Sequence, residues 1–183
     1  MPTRLILIAH APTLATRRAA FADDEALEPL RTRLEEKERF DRLFVAPERR
    51  ARETAAAFGW SATIDDELRD LEAGAWRGKS FDALLAEAPE SVMAWTSDPE
   101  FQPPGGESVQ LLLLRIGPWI DRQRQESGRV GAIAHPAILR AAVVAALGAP
   151  TELFWRIDAG PLARLELRSD GRRWTLRSLT VAG

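Results

Sequence analysis

Arg4-Leu5-Ile6-Leu7-Ile8-Ala9-His10-Ala11-Pro12 is an aliphatic run of strand length that ends on a histidine and is stopped two residues later by a proline. A strand that is apolar on both faces belongs to a sheet covered by helices on both sides. The design returns in Val130-Gly131-Ala132-Ile133-Ala134-His135-Pro136, where the proline is placed for the first position of a helix over 137–147. His10 and His135 are the only two histidines of the 183-residue chain, and each stands at the carboxyl end of a buried-strand pattern.

Between these runs, Leu43 to Ala46 leads through Pro47 into a helix over 48–58, rich in alanine and arginine and closed by Gly59. Ala62 to Ile64 forms a third run, followed by a polar loop with Asp70, Glu72, Gly74 and Gly78. Short helices are expected over 81–88 and 90–95, around Pro89. Pro103-Pro104-Gly105-Gly106 then breaks the chain before a long amphipathic helix from Glu107 to about Gln125, with Val109, Leu112, Leu113 and Ile116 on one side. After Gly148 and Pro150, Leu162, Leu165 and Leu167 alternate with polar residues, as do Trp174, Leu176 and Leu179, about Asp170-Gly171, which predicts a terminal hairpin at a sheet edge.

Strands alternating with helices predict an α/β fold, a three-layer αβα sandwich around a mostly parallel sheet, with the strand carboxyl ends on one rim. Ligands of such sheets bind beyond that rim. The length suits one domain over 1–183. A net charge of -2 supplies no broad positive field, so neither nucleic acid nor a membrane is an expected partner. Cysteine is absent, which removes disulfides, thiolate metal sites and a cysteine nucleophile. Pro2 and Arg4 precede too short an apolar run for a spanning helix or a leader, and the expected location is the cytoplasm. Trp76, Trp95, Trp119, Trp155 and Trp174 are read as packing residues.

Five segments, in order, carry a family resemblance: Ala9 to Thr13, Pro47 to Ala55, Leu68-Arg69-Asp70 with Gly74 to Gly78, Gly105 to Ser108, and Ala134-His135 followed by Arg140. Together they resemble the successive motifs of the histidine phosphatase, or phosphoglycerate-mutase-like, superfamily. The resemblance implies that the protein is a phosphatase of small-molecule phosphomonoesters, working through a phosphohistidine without a cofactor or metal. Two histidines at this spacing also match no compact metal motif.

In that likeness His10 is the nucleophile, which a neutral imidazole can be near pH 7 when its other nitrogen is held by an acceptor. His135 donates to the phosphoryl oxygens and Arg50 grips them, beside a helix amino terminus. Asp70 falls where the family usually has a glutamate proton donor, with Glu72 as a second candidate. Thr13 and Glu107 fall in motifs near the family's cleft. Mutase chemistry is disfavoured because the chain lacks the long insertions of the mutases. The tail around Trp155-Arg156-Ile157-Asp158 and Pro161 is similar to the α-ribazole phosphatase branch.

The chain also departs from the pattern. Ala9-His10-Ala11 replaces Arg-His-Gly, Thr16 stands for asparagine, Ala46 for serine and Pro136 for glycine. Losing the first-motif arginine costs about 2–4 kcal/mol of transition-state stabilisation by analogy with lost oxyanion donors. Arg17, Arg18 or Arg140 is expected to replace it. The alternative is a catalytically impaired homologue that binds a phosphorylated ligand or a protein.

Overall fold

The aliphatic run at the start of the chain becomes β1 (Thr3–Ala9), and residues 5–9 of it are all buried because neighbouring strands flank it and apolar side chains cover both faces. The computed structural model describes residues 2–36 and 38–181. The other strands are β2 (Arg42–Val45), β3 (Thr63–Ile64), β4 (Gly128–Ala134), β5 (Arg164–Ser169) and β6 (Trp174–Thr180). The helices are α1 (Leu14–Arg17), α2 (Arg49–Ala57), α3 (Phe81–Glu87), α4 (Pro89–Ser97), α5 (Val109–Gln125) and α6 (Pro136–Leu147).

The six strands are ordered β3-β2-β4-β1-β5-β6. Four are mutually parallel, β5 runs antiparallel to β1, and β6 closes the edge as the predicted hairpin. The chain steps outward through α2 from β2 to β3 and returns through α5 to β4. With right-handed crossovers the two connections lie on opposite faces, and α6 packs beside α5. The sequence therefore read the α/β sandwich and its mostly parallel sheet correctly. Among the described residues no helix is long and apolar enough to cross a membrane.

Three local expectations shift. The third run contracts to the two exposed residues of β3 at the sheet edge. The long helix starts at Val109 rather than Glu107, because Ser108 caps it by accepting the Leu111 N–H at 3.1 Å. Leu162 stays out of the hairpin. It turns at φ +58° and donates its N–H to the His10 carbonyl at 3.1 Å.

The proline-glycine stretch at 103–106 does more than break the chain. The Pro104 carbonyl accepts from Ala75 N–H at 2.9 Å, and the Glu72 carbonyl accepts from Glu107 N–H at 2.7 Å. Gly74, at φ +54°, lets the two loops touch: a Cβ there would stand 2.3 Å from the Pro104 oxygen. This clamp holds the loop that carries Asp70.

On β5, Glu166 receives Arg4 at 3.0 and 2.8 Å and Arg168 at 2.9 Å. The bonds from Arg4, then Arg168, outweigh burial and push its carboxyl down to about 2 from 4.5. A depressed carboxylate stabilises the fold above pH 4.5, and the contribution is lost as pH falls towards 2. Glu166→Gln is expected to cost about 2 kcal/mol at pH 7 once solvent screening is allowed for. Denaturant unfolding should also show a flatter stability curve for the variant between pH 4.5 and 2.

Candidate active site

β1 and β4 pair in register with Ala9 opposite Ala134, so the two histidines leave the sheet side by side. The His10 N–H extends the ladder by donating to the Ala134 carbonyl at 2.9 Å. The ring centroids lie 5.3 Å apart at 61° between planes, and both residues are buried.

His10 Nδ1 lies 2.8 Å from the Ala11 carbonyl oxygen. A carbonyl only accepts, so Nδ1 carries the hydrogen and Nε2 keeps a free lone pair. The loop that presents this carbonyl is itself fixed: Ala11 N–H donates to Thr54 Oγ1 at 2.9 Å, and that hydroxyl donates to the Arg50 carbonyl at 2.7 Å. Burial, and then the positive charge of His135, pull the His10 imidazole down to about 4 from 6.5 despite its bond to Ala11. The ring is neutral at pH 7.

A histidine buried in its neutral form makes the unfolded chain the better proton binder between pH 4 and 6.5, so stability rises with pH across that window. His10→Asn is therefore expected to remove about 3 kcal/mol of the stability lost on acidification from pH 6.5 to 4. Unfolding curves of both proteins across that range check this.

His135 is the N-cap residue of α6, with Pro136 at its first position. Its Nε2 lies 2.8 Å from Glu48 Oε2 and its Nδ1 3.4 Å from Asp70 Oδ2. Glu48 is the N-cap residue of α2, yet its side chain makes no capping bond. Its carboxylate is used across the sheet instead, and its other oxygen accepts the Asp70 N–H at 2.9 Å. Burial raises the Glu48 carboxyl, but the hydrogen bond and charge of His135 outweigh it and hold Glu48 below the usual range. An ionised carboxylate only accepts, so His135 Nε2 carries a hydrogen and donates it.

Arg50, on the first turn of α2, is buried and donates to Asp70 Oδ2 at 2.6 Å and to the Asp23 carbonyl at 3.0 Å, while its Nε has no partner. Asp70 is pushed up by burial, but His135, Arg50 and His10 outweigh this and leave it below the ordinary range. Asp70 is thus an ionised acceptor rather than a ready proton donor.

His10, Glu48, Arg50 and Asp70 open into a cavity of about 430 Å³, whose walls also include Glu72, Arg77, Arg140, Phe21, Trp95 and Phe154, while His135 is fully buried and not part of the wall. Of the expected site residues, His10, Arg50, Asp70 and His135 converge, and Glu72 and Arg140 line the same space. Four do not reach it. Thr13 is consumed at the start of α1, where its side chain accepts the Thr16 N–H at 3.3 Å. Arg17 is exposed and ion-paired with Glu28 beside a separate shallow recess, and Arg18 is exposed outside both. Glu107 is buried against Arg115, 2.8 Å away, and that arginine braces the carbonyls of Glu67 and Arg69 beneath the Asp70 loop.

Trp95 is a further correction, since it forms part of the cavity wall rather than packing alone. Ala9 is fully buried and contributes nothing to the wall. Glu48 and Thr54 escaped the sequence reading. The one available sign was an acidic residue next to the proline at a helix start, which normally reads as a partner for the helix dipole.

Two histidines side by side at the carboxyl ends of β1 and β4, with an arginine from the next helix, form the arrangement that the family resemblance implies. The chain belongs to the histidine phosphatase superfamily, branch 1, whose model matches residues 24–182. It is 28% identical over 188 residues to a bifunctional protein of Mycobacterium tuberculosis, covering 93% of this chain and 52% of that one. The chain thus spans about half the length of the curated mycobacterial relatives it matches. Phosphoserine phosphatase 1 of Hydrogenobacter thermophilus is 25% identical over 154 residues, covering 79% of this chain and 72% of that one. The solved α-ribazole phosphatase of Shigella flexneri shares the fold at a TM-score of 0.80 and 23% identity, with 98% of each chain covered.

Proposed function

We propose that the protein hydrolyses a phosphomonoester of a small metabolite in two steps through a phosphohistidine. The observation that carries this reading is the His10 ring, neutral and pinned at Nδ1 to Ala11, with the Nε2 lone pair left free at the wall of an anion pocket. Nε2 attacks phosphorus, the bond to the ester oxygen breaks, and Asp70 protonates the departing alkoxide. Water then attacks the phosphohistidine, gives a proton to Asp70, and releases inorganic phosphate and His10.

The ionised state of Asp70 fits this sequence. An arriving phosphate dianion draws Arg50 to itself and places negative charge beside the carboxylate, and both changes raise the affinity of Asp70 for a proton. Arg50 Nε, buried without a partner, supplies a further donor to the anion. His135, held by Glu48, stands beside His10 as a second imidazole for the phosphoryl group.

Ala9 favours a second reading, a homologue that binds a phosphorylated ligand without turning it over, because no guanidinium reaches the pocket from the first motif. Incubation with an aryl phosphate separates the two. Release of the phenol, with acid-labile phosphate trapped on the protein by rapid quench, supports the enzyme. Tight phosphate binding without either supports the second reading.

A further inference from the structure

Away from the histidine pair the cavity wall changes character. Arg140, on the second turn of α6, places its guanidinium 5.8 Å from the centroid of the Phe154 ring. Its Nε is sealed from solvent without a hydrogen-bond partner. Among the described residues no carboxylate stands within 4.0 Å of it, whereas Arg50, Arg69 and Arg77, which share the cavity, all have one. Trp95 adds a second unanswered donor, an indole Nε1 buried with no acceptor, and Phe21 meets that ring edge-on at 5.4 Å. Buried N–H groups that lack partners destabilise a fold, and Arg140 Nε and Trp95 Nε1 are two of them, so a ligand that answers them gains what the unpaired donors forfeit.

Burial lowers the pKa of Arg140, and the charge of Asp158 opposes this. The cavity, at about 430 Å³, is also far larger than a phosphoryl group, which displaces on the order of three waters or roughly 90 Å³.

We propose that Arg140 and Trp95, with the rings of Phe21 and Phe154, form a subsite for a leaving group that is flat and apolar and bears one carboxylate. A carboxylate matches the planar fork of a guanidinium, and a single charge suits a wall with one unpaired cation and one neutral donor. The aromatic rings offer faces and edges to a planar body. The words "leaving group" rest on the phosphatase reading; the subsite itself does not.

The test compares the phosphate ester of a hydroxynaphthoic acid with that of its carboxamide, in wild type, Arg140→Met and Arg140→Lys. Wild type is expected to favour the acid by about tenfold or more in kcat/KM, a ratio that falls to about one in Arg140→Met and is partly kept in Arg140→Lys. A ratio near one in wild type, or one that survives Arg140→Met, overturns the subsite while leaving the phosphatase reading in place. Calorimetry with the unphosphorylated acid and amide covers the opposite case. Tighter binding of the acid that depends on Arg140, with no ester hydrolysed, upholds the subsite and removes the phosphatase reading. Equal binding of the two overturns the subsite whether or not the esters turn over. If Arg140→Met does not fold, the wild-type comparison of acid and amide decides alone.

Discussion

His10→Ala is expected to lower kcat/KM for any phosphomonoester the protein hydrolyses by about four to six orders of magnitude, the scale on which nucleophile deletions act when the partner groups remain. The remaining groups survive the change because the loop after β1 is tied to α2 through Thr54, and His135 to Glu48, independently of the His10 ring. The variant should therefore still bind inorganic phosphate. It should show no acid-labile phosphoprotein in rapid-quench labelling, whereas wild type does. Removing a neutral ring buried beside His135 also removes the acid sensitivity described above, so the variant should be no less stable than wild type near pH 4. Turnover that persists in His10→Ala at more than a hundredth of the wild-type rate would mean that another group attacks phosphorus.

Asp70→Asn carries the second largest effect, and its size depends on the substrate. General acid assistance is worth about 10²–10⁴-fold where the leaving oxygen needs a proton, and little where it does not. With alkyl phosphates kcat should fall across that range, while with the phosphate of an acidic nitrophenol it should fall less than about tenfold. The variant also loses an ion pair. Arg50 then gives up a carboxylate 2.6 Å away, which frees it for phosphate, so KM is expected to fall or hold steady rather than rise. A Brønsted plot of kcat/KM against leaving-group pKa that is steeper for Asp70→Asn than for wild type is the signature. Equal losses for alkyl and aryl substrates would transfer the role to another acid, and Glu72, which lines the same cavity and pairs with Arg77, is the first to exchange for glutamine.

The parts of the site that the sequence reveals are those written by strand physics. An aliphatic run covered on both faces has to be central, and a residue just past its end has to lie on the rim, so His10 and His135 are legible from the order of the apolar residues before them. Asp70 is legible only through the family resemblance, counted back from Gly74, whose positive φ the loop contact requires. Glu48 is not, because nothing local marks a helix-start carboxylate that bonds a ring 87 positions away instead of its own backbone. Arg17 and Arg18 mislead for the converse reason. They follow His10 closely in the chain, but the capped turn of α1 carries them outward, where Glu28 takes Arg17. Glu107 misleads because a carboxylate beside a cleft serves equally well as a brace for the loop that forms it. The aromatic wall draws on α4, the loop after α1 and the turn after α6, a convergence that no periodicity encodes.

Because Ala9 and Ala134 sit opposite each other in a parallel ladder, the gap between the imidazoles is inherited from the interstrand spacing of the backbone. The chemistry has a built-in ruler that no helix or loop sets. Under the proposed phosphatase chemistry, reshaping the aromatic wall of the cavity, by drift or by design, would change which alcohol departs and leave the histidine pair undisturbed.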